Sequence, residues 1–127
     1  MNFFQRRKIL RRANFLDLVP VRLIGEESAE GDRVNLLMPR FKKKITSSIF
    51  QPRSKEPYIR IRLDTFGSLA WMLIDGTATV GQIAGAMKAK HPEKFRPEDE
   101  TEERVTKFFA MLYQQRYISF REIMETP

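Results

Sequence analysis

The side chains that could do acid–base or metal chemistry are few and scattered. His91 is the only histidine, and it stands beside Pro92 where an apolar periodic run ends. A lone histidine there serves as a helix C-terminal cap or a surface residue, not as a base or a ligand. The chain has no cysteine, which removes disulfides, thiolate nucleophiles and Cys-based metal sites together. Asp64 and Asp75 could be read as a carboxylate pair, but each stands where a helix cap or a turn needs an acceptor. No nucleophile–base spacing or metal-ligand cluster is visible, so the reading is of a protein that is not an enzyme and needs no cofactor. Trp71 lies midway along an apolar helical stripe and reads as core, not as part of a site.

These residues fall in the stretch around which the chain is organised, Asp64 to Met87. Phe66, Leu69, Ala70 and Leu73 recur at i, i+3, i+4 and i+7, with Trp71, Met72 and Ile74 widening the apolar side. Asp64 or Thr65 can cap this helix, and Asp75-Gly76 stops it. Thr79 and Gln82 have capping-box spacing, and Val80, Ile83, Ala84 and Met87 repeat the apolar pattern in a second helix. Two stripes joined by so short a turn must face a shared core, a helix-turn-helix in the broad sense.

Around this centre the sequence reads as three strands, three helices and a strand. Leu16–Ile24 is expected as a first strand, with Pro20 at an edge or bend. Glu26–Asp32 is expected as a turn, and Arg33–Met38 as the second strand, hairpin partner of the first. Tyr58–Leu63 alternates: Ile59, Ile61 and Leu63 toward the core, Tyr58, Arg60 and Arg62 away. The third helix opens at Pro97 with an acidic first turn and buries Val105, Phe108, Phe109 and Leu112. Tyr117–Ile123 closes the chain as a short strand. The fold class is α+β: a winged-helix-like domain, its three-stranded antiparallel sheet followed by three helices and a short C-terminal strand.

The net charge of +7 is uneven. Residues 1–62 hold 15 Lys/Arg against 6 Asp/Glu, and residues 63–127 hold 8 against 10. The basicity sits in an arm, 1–14, and in a basic loop, 39–57; the remainder, 15–127, reads as one domain carrying that loop as an insertion. The arm reads either as a small basic amphipathic segment that touches a membrane surface, nucleic acid or a partner, or as a terminal segment packed on its own domain or on a second copy. No apolar run approaches the roughly 20 residues that span a bilayer, and no secretory signal pattern follows the basic start. A cytoplasmic location is expected.

The residues Leu63-Asp64, Gly67, Trp71, Ile74-Asp75-Gly76, Thr79-Val80 and Ile83, with the ending FFAMLYQQRYISF, resemble the core of PqqD-like proteins. These are the small peptide-binding proteins of pyrroloquinoline quinone biosynthesis and the related RiPP recognition elements. The resemblance runs over roughly residues 15–121, and its Trp, Asp-Gly and Thr-Val spacing is more specific than a helix-turn-helix alone. Asp64 stands where many members have Asn, and the arm and the 39–57 insertion are additions to the minimal domain. The resemblance implies a three-stranded sheet packed on three helices, and a non-catalytic adaptor that binds a leader peptide as an added strand. It also implies presentation of that peptide to a partner enzyme, often a radical SAM protein. Carried onto this chain, it places the peptide along Tyr58, Ile59, Arg60, Ile61 and Arg62 and beside Arg104, Phe108, Met111 and Gln115.

Two other readings stand beside this one. Arg60 and Arg62 suit an acidic leader, and they equally suit a charged edge strand that resists aggregation. The alternative function is a nucleic-acid-binding winged helix that uses the basic arm and loop, where basic residues alternate with Phe41, Ile45, Ile49 and Phe50. Glu98, Asp99, Glu100, Glu102 and Glu103 in the opening turn of the third helix would repel phosphates, so that helix is not the DNA reader. Whether the arm joins two copies in a homodimer stays open.

Overall fold

The computed structural model describes residues 2–12, 14–40 and 57–124. The expected basic loop lies, from Phe41 to Glu56, outside the described residues. The chain forms two compact units, one from residues 24–68 and one from residues 1–23 together with 69–127.

The unit of residues 24–68 is a three-stranded antiparallel sheet in the order β2 (Gly25–Ser28), β3 (Val34–Pro39), β4 (Tyr58–Arg62). Here the structure corrects the expected turn at Glu26–Asp32. Residues 25–28 are the strand that pairs with β3, Glu27 opposite Asn35, and the turn comes after them. The acidic side chains that suggested a turn are tolerated because β2 is an edge whose Glu27 finds cationic and amide partners. Of β3, Val34 and Leu36 are buried, and Leu63 just past β4 is buried with them. Ile61 is half-buried, but Ile59 is 43% exposed, so the expected core face of this strand fades toward its start. Asp64 Oδ1 accepts the Gly67 N–H at 2.7 Å and caps the helix that follows, α2 (Thr65–Met72). Ser68, fully buried on that helix, accepts the Val34 N–H at 2.9 Å and occupies the last donor of the β3 ladder.

The other unit contains α1 (Phe3–Arg12), β1 (Pro20–Arg22), α3 (Val80–Lys90), α4 (Thr101–Gln114) and β5 (Ile118–Phe120). α1 starts at a reciprocal cap: Asn2 Oδ1 accepts the Gln5 N–H and Gln5 Oε1 accepts the Asn2 N–H. The expected first strand, Leu16–Ile24, is replaced in its first half by a 3₁₀ turn at Phe15–Asp17, because Asn14 Oδ1 accepts the Leu16 N–H and winds the chain. What remains, β1, pairs antiparallel with β5 (Val21 opposite Ser119), not with the second expected strand. Alternation of apolar residues predicts a strand without naming its partner.

α2 stops at Met72, which is 54% exposed instead of widening the buried side, and Leu73 and Ile74 tighten into i→i+3 bonds to Ala70 and Trp71. Asp75 Oδ1 then accepts from the Thr77 N–H, the Thr77 hydroxyl and the Ala78 N–H, while Gly76 adopts φ +82°. Thr79 and Gln82 form the expected capping box, and Val80, Ile83, Ala84 and Met87 are all buried. α4 begins at Thr101, not at Pro97. Residues Pro97–Asp99 make a separate 3₁₀ turn, and Glu100 at φ 50° breaks it from the helix. Val105, Phe109 and Leu112 are buried as expected, joined by Thr101, whereas Phe108 is half-buried. Each such buried apolar side chain contributes about 1.5–3 kcal/mol. After Phe120 the expected strand turns into a 3₁₀ segment, Arg121–Ile123.

α4 ends in a Schellman motif, Tyr117 N–H to Leu112 C=O and Arg116 N–H to Tyr113 C=O. The residue in the left-handed position is Arg116 at φ 64°, where glycine is usual. A side chain there costs about 1–2 kcal/mol. Among the described residues no helix is long and apolar enough to cross a membrane.

Two measurements follow from these contacts. The three hydrogen bonds to Asp75, led by that from the Ala78 N–H, hold its carboxyl below the ordinary aspartate value. Because the folded value is the lower one, the stabilisation is complete above the unfolded value and is lost as the pH falls through the folded one. Urea unfolding as a function of pH should therefore show Asp75→Asn less stable at neutral pH and flatter than the native chain below about pH 4. The second concerns α3. A Cβ on Gly81 would lie 3.2 Å from the Leu16 carbonyl oxygen, whereas one on Gly85 meets nothing within 4 Å. Gly85→Ala should stabilise by about 0.5–1 kcal/mol, and Gly81→Ala should fall short of that or destabilise, as read from thermal unfolding.

Candidate functional site

Among the described residues β4 is an edge strand. It pairs with β3 on one side, and the order β2-β3-β4 ends with it. The Leu63 N–H bonds to the Val34 carbonyl and the Arg40 N–H to the Pro57 carbonyl. With Leu36 opposite Ile61 and Met38 opposite Ile59, the odd-numbered residues therefore direct their backbone groups to β3. The same parity turns the N–H and C=O of Tyr58, Arg60 and Arg62 to the outer edge. An extended peptide can dock on such an edge by main-chain hydrogen bonds.

The side chains alternate in the complementary way. Tyr58 and Ile59, 42% and 43% exposed, stand on opposite faces at the start of the strand. Arg60 Nε donates to Glu27 Oε2 at 2.6 Å, and Asn35 Nδ2 donates to the same oxygen at 3.1 Å, so three strands are tied across one face. The Arg60 guanidinium, helped by the Asn35 amide, holds the Glu27 carboxyl below the usual glutamate range. What this tie adds to stability is thus present at neutral pH and lost as the pH falls through that lowered value. Arg62, two pairs further along, lines a cleft of about 360 Å³ with Arg33, Glu30, Asn35, Ala29 and Leu63. Of the two expected peptide-facing arginines, Arg60 is therefore engaged by a carboxylate, and Arg62 faces a cleft that holds a second arginine.

The expected helix residues lie on α4 and its cap, in the other unit. Arg104, Phe108, Met111 and Gln115 are spaced four, three and four residues apart and share one helix face. Arg104 and Gln115 are exposed, Phe108 is half-buried with its ring 5.7 Å from that of Phe109, and Met111 is 41% exposed. An exposed methionine beside a half-buried phenylalanine offers a soft apolar contact.

The residues weighed for catalysis have structural tasks. The His91 N–H caps α3 on the Met87 carbonyl, with Glu93 Oε1 3.9 Å from its ring nitrogen. Asp64 caps α2 and Asp75 builds the following turn. Trp71 is fully buried; its carbonyl accepts Arg22 Nη2 at 2.7 Å, and the same guanidinium lies 5.3 Å from the indole centre. Among the described residues no three His, Asp or Glu side chains gather as a metal site. The acidic start of α4 is partly balanced by Lys88, 3.1 Å from Glu102, and Lys107, 3.4 Å from Glu103.

Sequence reasoning missed two clusters. Glu27 was hidden in what read as a turn, and its i, i+8 relation to Asn35 is visible only once β2 is known to be a strand. Arg6, Arg7 and Arg116, over a hundred residues apart, meet around a cavity in the unit formed by the two ends of the chain. The left-handed backbone of Arg116 was the only local sign, and it is not encoded in residue type.

No curated protein and no solved structure matches the chain significantly. A family model described as Coenzyme PQQ synthesis protein D (PqqD) matches residues 53–118, just over half of the 127 residues. The match takes in β4, the Asp64–Ile83 motif and α4, and leaves out β1 to β3, which the resemblance over roughly residues 15–121 had included. With the edge strand, the capped helix pair and the closing helix all inside the matched stretch, the chain belongs to the PqqD family of coenzyme PQQ synthesis proteins.

Proposed function

We propose that this protein is a non-catalytic adaptor that binds an extended peptide along the outer edge of β4 and presents it to a partner enzyme. The observation that carries the reading is the register: the ladder to β3 uses the odd-numbered residues, so Tyr58 and Arg62 turn their main-chain groups outward. Family membership supports the same reading, since PqqD-like proteins take a leader peptide as an added strand. The helix face of Arg104, Phe108, Met111 and Gln115 is proposed as the second contact, apolar at its centre and polar at both ends. The bound segment is the leader of a precursor peptide, and the partner is a radical SAM enzyme of the quinone-cofactor type. A carboxylate in the leader would find Arg62 and Arg33 at the cleft beside the edge.

Proline substitutions separate the edge from the fold. Arg62→Pro removes an N–H that points outward, which an edge strand tolerates, whereas Ile61→Pro removes a ladder hydrogen bond. With ¹⁵N-labelled protein and synthetic leader peptides encoded beside its gene, amide shifts should concentrate in Tyr58–Leu63 and along residues 104–115. Arg62→Pro should keep the native spectrum and weaken binding about tenfold or more. Arg62→Ala, which retains the N–H, should weaken it less, and Ile61→Pro should lose the sheet itself. Equal binding by Arg62→Pro and the native chain would remove strand addition from the account.

A further inference from the structure

The unit formed by the two ends of the chain contains an open cavity of about 590 Å³ between α1, the end of α4 and the β1–β5 pair. Arg6, Arg7 and Arg116 line it together with Phe3, Leu23 and Ile118, and among the described residues none of its lining is acidic. Among the described residues none of the three arginines forms an ion pair. Like charges gathered at one place repel one another, so the cluster carries an electrostatic cost. The backbone adds to this. Arg116 occupies the left-handed position of the helix-ending motif, where glycine would be unstrained. A basic residue near a helix C-terminus suits the macrodipole, but that benefit is available at neighbouring positions without the strain. Strain kept at one residue, at the mouth of an anion-suited cavity, is the pattern of a binding site.

The surface beside the cavity narrows the choice of ligand. Phe3 and Phe4 are 65% and 79% exposed and stack edge to face, centroids 5.6 Å apart. They stand on a helix that carries five Lys/Arg and no Asp/Glu. Exposed aromatic rings and clustered guanidiniums on one short helix are what a bilayer interface takes up at once, the rings at the acyl boundary and the charges among the headgroups. A soluble phosphate would need the arginines alone, and an acidic peptide would leave Phe4 in water.

We propose that this face docks the protein on an anionic lipid surface, with a headgroup phosphate entering the cavity among Arg6, Arg7 and Arg116. The docking is peripheral and reversible, because one short helix and three guanidiniums make a weak anchor that added salt releases. It does not rest on the peptide reading: none of the residues proposed to contact the peptide lines the cavity, although Gln115 of the proposed second contact adjoins Arg116.

Co-sedimentation of the full chain with vesicles tests it. The protein should pellet with vesicles of equal parts phosphatidylcholine and phosphatidylglycerol, stay in solution with phosphatidylcholine alone, and be released by salt. Arg116→Gly should weaken binding about fivefold while raising the thermal midpoint, a combination that a purely structural role for Arg116 does not produce. Arg6→Gln/Arg7→Gln, which leaves that backbone untouched, should weaken it further, and Phe3→Ser/Phe4→Ser should also weaken it. Equal pelleting of the native chain and Arg116→Gly overturns the proposal, as does equal pelleting with both vesicle types. It is also overturned if inorganic phosphate or a glutamate-rich peptide shifts the Arg116–Ser119 amides while vesicles leave the protein in solution.

Discussion

Backbone polarity in the segment from Asn14 to Leu23 governs how the two ends of the chain come together. A short extended stretch inside a small unit must find a partner for each buried N–H and C=O. The Val80 N–H, at the start of α3, donates to the Leu18 carbonyl at 2.9 Å. The Arg121 N–H donates to the Val19 carbonyl, and the Val19 N–H donates to Glu122 Oε1. The Leu23 N–H reaches the Tyr117 carbonyl, and between these points β1 pairs with β5. One segment thus supplies the first acceptor of a helix and the only strand that pairs with β5 among the described residues. Leu18, within this segment, is fully buried. The close approach of α3 follows, since Gly81 leaves room for the Leu16 carbonyl where a methyl group would crowd it.

The sheet of the other unit is governed by a different constraint, the status of its last strand. An edge strand with exposed side chains at its start invites pairing with other chains, and charged residues are the usual safeguard. β4 carries Arg60 and Arg62 in this role, and Arg60 is held by Glu27 from the far strand. The ion pair is exposed, so its value lies less in stability than in fixing where the arginine points. Held against the sheet face, the Arg60 side chain does not extend over the edge that a peptide would approach. Under the proposed function, a single glutamate on β2 lets the same strand discourage random pairing through its charge while its main chain stays open to a peptide.

How much of this the sequence revealed depended on the range of each interaction. The Asp64 cap, the Asp75-Gly76 turn and the Thr79–Gln82 box are contacts within a few residues, and residue type with spacing was enough to place them. The buried stripes Val80–Met87 and Val105–Leu112 followed from period alone. Strand partnership did not follow, because alternation in Leu16–Ile24 is equally compatible with pairing to β3 or to β5, and Asn14 rewound half of it. The start of α4 was misplaced because Pro97 and the acidic run suit a helix start and a 3₁₀ turn alike. Of the candidate site, strand β4 was legible from alternation, whereas its place in a site came only from the family resemblance. Glu27 was not, since its partners are 8 and 33 residues away. The three cavity arginines were not either, because nothing local links residue 6 to residue 116.

The distribution of the family pattern over these contacts explains what family membership does and does not determine. Asp64 caps, Trp71 fills the core, Asp75 and Gly76 make the turn, Thr79 caps, and Val80 and Ile83 are buried. Each of these pattern residues has a task in the folded chain that requires no ligand. The pattern is therefore a specification of a helix pair and of how the preceding strand runs into it. Arg60, Arg62, Arg104, Met111 and Gln115 fall outside it, on an edge and on a helix face where the fold asks for little beyond polarity or modest apolar contact. Such positions are free to differ between proteins that share the scaffold. Under the proposed function the scaffold supplies the edge strand for an extended peptide, and the choice of peptide falls to residues that folding constrains only weakly.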